Sequence, residues 1–208
     1  MRITRANLRR LILEQLEPEI DDGEIDDELV KFIVRSNKIE GYEVDPEDVR
    51  SAIEGVEAGY PIRYVTNNPH IAAHLLGIEA AKSGNAQSLD GAKSVHRSMG
   101  PDVLDSGVPG VTRMGTEAES AGGTKYVPSK SVGNAMTWWE NTKFPSPFER
   151  HTVYELIHPF ADGNGRSGRI LLAADLGFNF KLVNELIGDD YFSNLSSFNK
   201  KYQGEFWN

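Results

Sequence analysis

Twelve residues, His158-Pro-Phe-Ala-Asp162-Gly-Asn-Gly-Arg166-Ser-Gly-Arg169, bring together a group that can take a proton, one that can hold a divalent cation and two that can clamp an anion. His158 belongs to the residue type that titrates near neutral pH, as a general base must. Asp162 precedes Gly163-Asn164-Gly165, and glycines at a helix start let unpaired backbone N–H groups approach an anion closely. Arg166 and Arg169 are three apart, so they share one side of the first turns, and their planar forks suit phosphate oxygens. A carboxylate beside an anion site would compete with a phosphate for the same donors. Mg²⁺, commonly held by one or two carboxylates together with substrate phosphates, resolves that conflict. A lone histidine, a Gly-Asn-Gly turn or a surface arginine pair would each mean little alone. In this order and this close together they point to phosphate chemistry rather than to core packing.

The elements that must hold these groups flank the run. Phe148, Val153, Tyr154 and Ile157 give the preceding segment an apolar helical face, and Ile170 to Leu176 continues as a helix apolar enough to be buried. The run is therefore the loop of a helix–loop–helix. Elsewhere the periodicity predicts helices at about 4–16, 26–36, 46–57, 69–83, 89–99, 130–141, 147–157, 164–176 and 189–200, punctuated by Gly and Pro. One stretch, Val108 to Pro128, resists a helical reading. There Val111-Thr112-Arg113-Met114 and Thr124-Lys125-Tyr126-Val127 flank a polar tip at Thr116 to Gly123, a pattern that fits a hairpin or a plain surface loop.

The run resembles the signature of the Fic (filamentation induced by cAMP) family, His-x-Phe-x-Asp/Glu-Gly-Asn-Gly-Arg-x-x-Arg, and matches it at every defined position. The resemblance implies an all-α Fic fold, a helical bundle around the central helix–loop–helix with a small β-hairpin flap. It also implies transfer of AMP from ATP to a protein hydroxyl. His158 would deprotonate the target Ser, Thr or Tyr, and Asp162 would hold Mg²⁺. The backbone of Gly163, Asn164 and Gly165 would cradle the phosphates, Arg166 and Arg169 would meet the outer ones, and Phe160 would anchor the loop in the core. The flap, with Thr112, Lys125 and Tyr126, would cover the nucleotide and pair with an extended target segment by strand addition.

A second motif, Ser36-Asn-Lys-Ile-Glu40-Gly41, ends a helix whose apolar face is Ile25, Leu29, Phe32 and Ile33 and which Asp26 or Asp27 can cap. Gly41 is placed to terminate it. Ser36 and Glu40 stack on one side of the last turn, where a glutamate opposes the helix dipole and invites a cation from elsewhere. The segment is similar to the Fic inhibitory motif, Ser/Thr-x-x-x-Glu-Gly/Asn. The resemblance implies that Glu40 pairs with Arg169 and blocks productive placement of the ATP γ-phosphate, and a bidentate pair would be charge-assisted. It divides the chain into an N-terminal helical region, 1–60, with the inhibitory helix at about 24–41, and a catalytic core, 61–208, packed as one unit.

Composition narrows the alternatives. A net charge of −9 disfavours a non-specific nucleic-acid binder. With no cysteine there is no disulfide, thiol nucleophile or zinc–thiolate site, which fits a cytoplasmic setting, in its own cell or a host's. No segment reads as a leader or a membrane span. His70, His74 and His96 show no metal-site spacing and read as exposed or structural, and His151 as core support. The expected partners are ATP and a hydroxyl-bearing protein, and self-association is left open. Two further readings stand beside adenylylation. One is the same fold transferring UMP, phosphocholine or phosphate, or removing AMP. The other is a nucleotide-binding regulator with little turnover.

Overall fold

Several helices begin where the chain supplies a cap. Asp26 accepts the Glu28 N–H to open α1 (Asp27–Ile39), and Asp45 accepts the Glu47 N–H, with Pro46 following, to open α2 (Pro46–Glu57). After the single turn of α3 (Ile62–Val65), Asn68 takes two N–H groups and Pro69 starts α4 (Pro69–Ser83). Ser88 caps α5 (Leu89–Ser98), and Ser146, followed by Pro147, caps α7 (Pro147–Ile157) after α6 (Val132–Asn141). Then come α8 (Asn164–Asp175), α9 (Phe180–Leu186) and α10 (Tyr191–Tyr202). These assignments come from a computed structural model that describes residues 26–114 and 125–202.

The architecture is all-α, ten helices among the described residues. α8 is the hub: α7, α4, α5, α9 and α1 all pack on it. Its Ile170, Leu171, Leu172 and Ala173 are buried, in a core that runs from Val30 and Phe32 on α1 to Tyr191 and Leu195 on α10. Two short helices escaped the periodicity reading. α3 and α9 span too few residues to show a helical period in a window of usual length. The helix expected at 4–16 lies outside the described residues, as does the tip expected at 116–123 with Thr124. The backbone N–H groups of those flanks bond to the loop between α7 and α8 and its surroundings: Arg113 N–H donates to the Pro159 carbonyl and Val127 N–H to that of Leu156. Only an isolated bridge at Lys125 marks strand character among the described residues. None of the helices described is long and apolar enough to cross a membrane.

Two histidines are sealed in this core. Burial pushes both His74 and His151 down to about 3, and each has both ring nitrogens engaged. Both are held neutral in the fold but protonate near their ordinary value in the unfolded chain, so their contribution is complete above pH 6.5 and is lost as the pH falls below it. Glu155 acts in the opposite sense, because burial raises it to about 8, so its contribution fades as the pH climbs from its ordinary 4.5. Stability should therefore be greatest near pH 6.5. Toward pH 5 each histidine lowers the unfolding free energy by roughly 1.4 kcal/mol per pH unit, offset once by Glu155, and toward pH 8 Glu155 alone lowers it at a similar rate, so the urea midpoint should fall on both sides. An unchanged midpoint between pH 6.5 and 5 would contradict neutral burial of the pair.

Candidate active site

The loop between α7 and α8 is held by its own polar groups. Asn164 is buried; its side-chain amide donates to the Phe160 carbonyl at 2.9 Å and its oxygen accepts the Phe160 N–H at 2.8 Å. Phe160, fully buried, stacks on His96 at 3.8 Å between ring centroids. His96 donates from Nε2 to the Asp162 carbonyl and accepts the Gly110 N–H at Nδ1, each at 2.8 Å, so the ring is neutral with its proton on Nε2. Gly163 turns the chain into α8 at a φ of 73°, and a Cβ there would stand 2.7 Å from Leu104. Both the dihedral and the space require glycine.

His158 caps α7 in the left-handed region, with φ 52° and ψ 62°. A non-glycine residue there is held against a local cost, and Arg113 is what holds it. The buried Arg113 guanidinium donates to the carbonyls of His158 (2.6 Å), Ile157 (3.1 Å) and Val127, and to the Ser129 hydroxyl (2.8 Å). A cation thus seats on the negative end of α7. Burial, then the Arg113 charge, pulls His158 down to about 4 against the opposing effects of the Glu155 backbone, Glu40 and Asp162. The imidazole is therefore neutral at pH 7, stacked on Tyr126 at 3.8 Å. Its Nδ1 is buried, so Nε2 is the nitrogen that meets the site.

Asp162 accepts the Gly163 N–H on Oδ1 (2.6 Å) and the Asp105 N–H on Oδ2 (2.7 Å). The Gly163 N–H, expected to face a phosphate, is thus already taken. The first-turn N–H groups of α8 beyond it have no side-chain cap. Arg166 lies buried beside them. One nitrogen donates to the Val103 carbonyl at 2.7 Å and stands 3.8 Å from Asp162, while Nε and Nη1 find no hydrogen-bond partner among the described residues.

Arg169 is engaged on the far side. Its Nε donates to the Ser36 hydroxyl (2.9 Å), and Nη2 to the Ser36 carbonyl (2.9 Å) and to Glu40 Oε1 (2.7 Å). The pair with Glu40 is a single contact rather than the bidentate one expected, because Ser36 occupies the rest of the fork. Burial opposes the guanidinium charge, but Tyr191, Glu40 and Glu155 outweigh it and raise its pKa. The Glu40 carboxylate rests on the first turn of α8: a Cβ on Gly165 would lie 2.2 Å from Oε1. Gly165 is the opening through which the carboxylate reaches that position. Gly41, at a φ of 84°, ends α1 just beyond it.

Residues 88–176 match a family model described as the Fic/DOC family. Over those residues, a little under half of its length, the chain is similar to a Fic domain. A probable protein adenylyltransferase of Aquifex aeolicus is 44% identical over 55 residues, 24% of this chain and 17% of the relative, so the chain spans under a fifth of that protein. Among solved structures, a Fic family protein from Desulfovibrio desulfuricans superposes with a TM-score of 0.63 at 20% identity, over 97% of this chain and 69% of the other. A Fic-domain signalling protein from Bacteroides thetaiotaomicron gives 0.54 at 18% identity, over 91% of this chain and 80% of the other. C. elegans Fic-1 gives 0.51 at 19% identity, over 92% and 68%. These likenesses establish the fold.

The Fic loop and the Ser36–Gly41 segment, 133 residues apart at Ser36 and Arg169, meet at one place. Thr112, Lys125 and Tyr126 lie beside Arg113 and Val127, so the described roots of the expected flap adjoin His158. Sequence reasoning left out Arg113, and treated His96 as merely exposed or structural where it clamps Asp162. Neither has a spacing that links it to the loop, since both reach it from other elements. Arg113→Met should leave buried carbonyls unpaired at a cost of roughly 1–3 kcal/mol each, seen in denaturant melts. It should also move the His158 ring titration upward from about 4 in NMR, since Arg113 is one cause of the depression. An unchanged His158 titration in a folded variant would show that the guanidinium does not act on the ring.

Proposed function

We propose that the chain is a Fic-type protein adenylyltransferase, moving AMP from ATP to a Ser, Thr or Tyr hydroxyl of a protein, and resting with Glu40 on Arg169. The observation that carries the reading is the unfinished bonding of Arg166. A buried guanidinium with two idle nitrogens stands beside an uncapped helix N-terminus, and a polyphosphate would satisfy both. Neutral His158 supports it on the other side of the loop. Its Nε2 would take the proton of the target hydroxyl as that oxygen bonds to the α-phosphorus, the α–β phosphoanhydride bond breaks and pyrophosphate departs. Asp162 fits Mg²⁺ shared with substrate phosphates, because two backbone N–H groups orient its carboxylate while it still reaches solvent. Among the described residues no cluster of three acidic or histidine groups offers an all-protein cage, which also favours a shared ion. When bound, the ion would neutralise charge on the phosphates. Exposed Val111 and Met114, next to Thr112, would offer the target an apolar edge near His158.

Glu40 supplies the brake in this reading. Its carboxylate lies where the positive end of α8 and Arg169 would otherwise receive an outer phosphate. With α-labelled ATP, Glu40→Gly should raise self-labelling by roughly tenfold or more, the population shift expected when a competing charged contact is removed. His158→Ala should abolish it. Label from γ-labelled but not α-labelled ATP would instead mean phosphorylation, and ATP binding without transfer in the Glu40→Gly form would mean a regulator.

The acid limb gives an independent check. For Glu40→Gly, kcat/KM should stay flat as the pH falls from 8 to about 5.5, because the base titrates well below the usual 6.5 and is lost only near its depressed value. A half-maximal point at 6.5 would contradict a buried, depressed His158.

A further inference from the structure

The Ser36 hydroxyl, one turn before Glu40, is held from behind. His74, fully buried on α4, places Nδ1 2.9 Å from the His70 carbonyl. A carbonyl only accepts, so the ring proton is on Nδ1, and Nε2, 2.8 Å from Ser36 Oγ, must accept the Ser36 O–H. The Ser36 lone pairs are then turned to Arg169 Nε. Donation runs in one direction through sealed groups, Arg169 to Ser36 to His74 to the His70 carbonyl. Burial keeps His74 an acceptor throughout the neutral range.

One helical turn earlier, His70 stacks on Tyr42, two residues past Glu40, with ring centroids 4.0 Å apart and planes inclined by 25°. Tyr42 in turn lies under the Arg166 guanidinium at 5.4 Å. The two histidines, four apart on α4, therefore grip the chain on both sides of Glu40, at Ser36 and at Tyr42.

We propose that His74 and His70 are positioning residues of the brake, forming a latch on α4 that sets how firmly the Glu40 segment sits on Arg169. The proposal rests on the reading of Glu40 as an inhibitor. His74 fixes the hydroxyl that shares Arg169 with Glu40, and His70 fixes the turn that follows Glu40. Loosening either lets the carboxylate leave more often while His158 and Asp162 stay as they are.

The test is self-labelling of the full chain with α-labelled ATP, with folding followed by circular dichroism. His74→Phe keeps a ring but removes the acceptor, and should raise the labelling rate about five- to tenfold, the shift expected on loss of one buried hydrogen bond. His74→Gln, whose amide oxygen can replace Nε2 as acceptor, should restore a rate near the parent. His70→Ala should give a smaller rise, about twofold, in line with loss of a ring contact. In a Glu40→Gly background, His74→Phe should add nothing. A purely structural histidine would lower activity or leave it unchanged, so a gain is diagnostic. If His74→Phe does not fold, His74→Asn, whose amide is too short to reach Ser36, takes its place. Activation by Glu40→Gly with no gain from a folded His74 variant overturns the latch and leaves the brake standing. No activation by Glu40→Gly overturns the brake and the latch with it.

Discussion

A guanidinium removed from water must have its N–H groups and its charge answered, and the Arg169 side chain is almost completely removed from water. In this molecule the answer comes from another helix, through the Ser36 carbonyl, the Ser36 hydroxyl and the Glu40 carboxylate. Much of the arrangement follows from that demand. α8 is the hub of the bundle, so Arg169 cannot retreat to solvent. Gly165 has no side chain because Oε1 of Glu40 occupies the space. Glu155, on the other side of Arg169, is raised to about 8 by burial and so does not displace Glu40 as a second full negative charge at pH 7.

The loop between α7 and α8 answers a different requirement. Groups that stabilise developing charge act best when they need no reorganisation at the moment of reaction. Here the loop is tied before any substrate arrives: Asn164 closes it on Phe160, His96 pins the Asp162 carbonyl, and Arg113 binds the carbonyls that end α7. The left-handed backbone of His158 is the strain these contacts sustain. Among the described groups of the loop, Nδ1 of His158 and two nitrogens of Arg166 lack a hydrogen-bond partner and the first turn of α8 has no side-chain cap, the last two standing where the proposed polyphosphate would lie.

Local pattern carried the helix–loop–helix, the cap from the Asp26–Asp27 pair and the termination at Gly41, because each depends on residues within a turn or two. The match of Ser36–Glu40 to Arg169 was legible only through motif resemblance, since 129 residues separate Glu40 from its partner. Resemblance still missed how the fork is shared, because it names a glutamate and not the serine carbonyl. Arg113 looked like part of a hairpin strand, and its inward turn depends on carbonyls contributed by α7. His74 and His96 carried no signal, for a histidine's role is set by what faces its two nitrogens, and those partners lie 38 and 66 residues away.

The two parts of the Arg169 contact differ in how they can be undone. Val30, Phe32 and Ile33 of α1 are in the core, and Ser36 is as buried as they are. Displacing α1 as a whole would expose that apolar surface and strip Arg169 of the serine oxygens as well, so the cost would approach partial unfolding. Glu40 stands beyond the last helical residue, about a quarter exposed, with a left-handed glycine behind it. A change of its side-chain rotamer, or of the turn at Gly41, removes the charge while α1 and Ser36 stay in place. In the proposed resting state the serine contact is then the fixed part and the carboxylate the movable one. Arg169 would keep half of its fork on Ser36 and turn the rest to phosphate, and the grip of α4 on the turn decides how readily that exchange occurs.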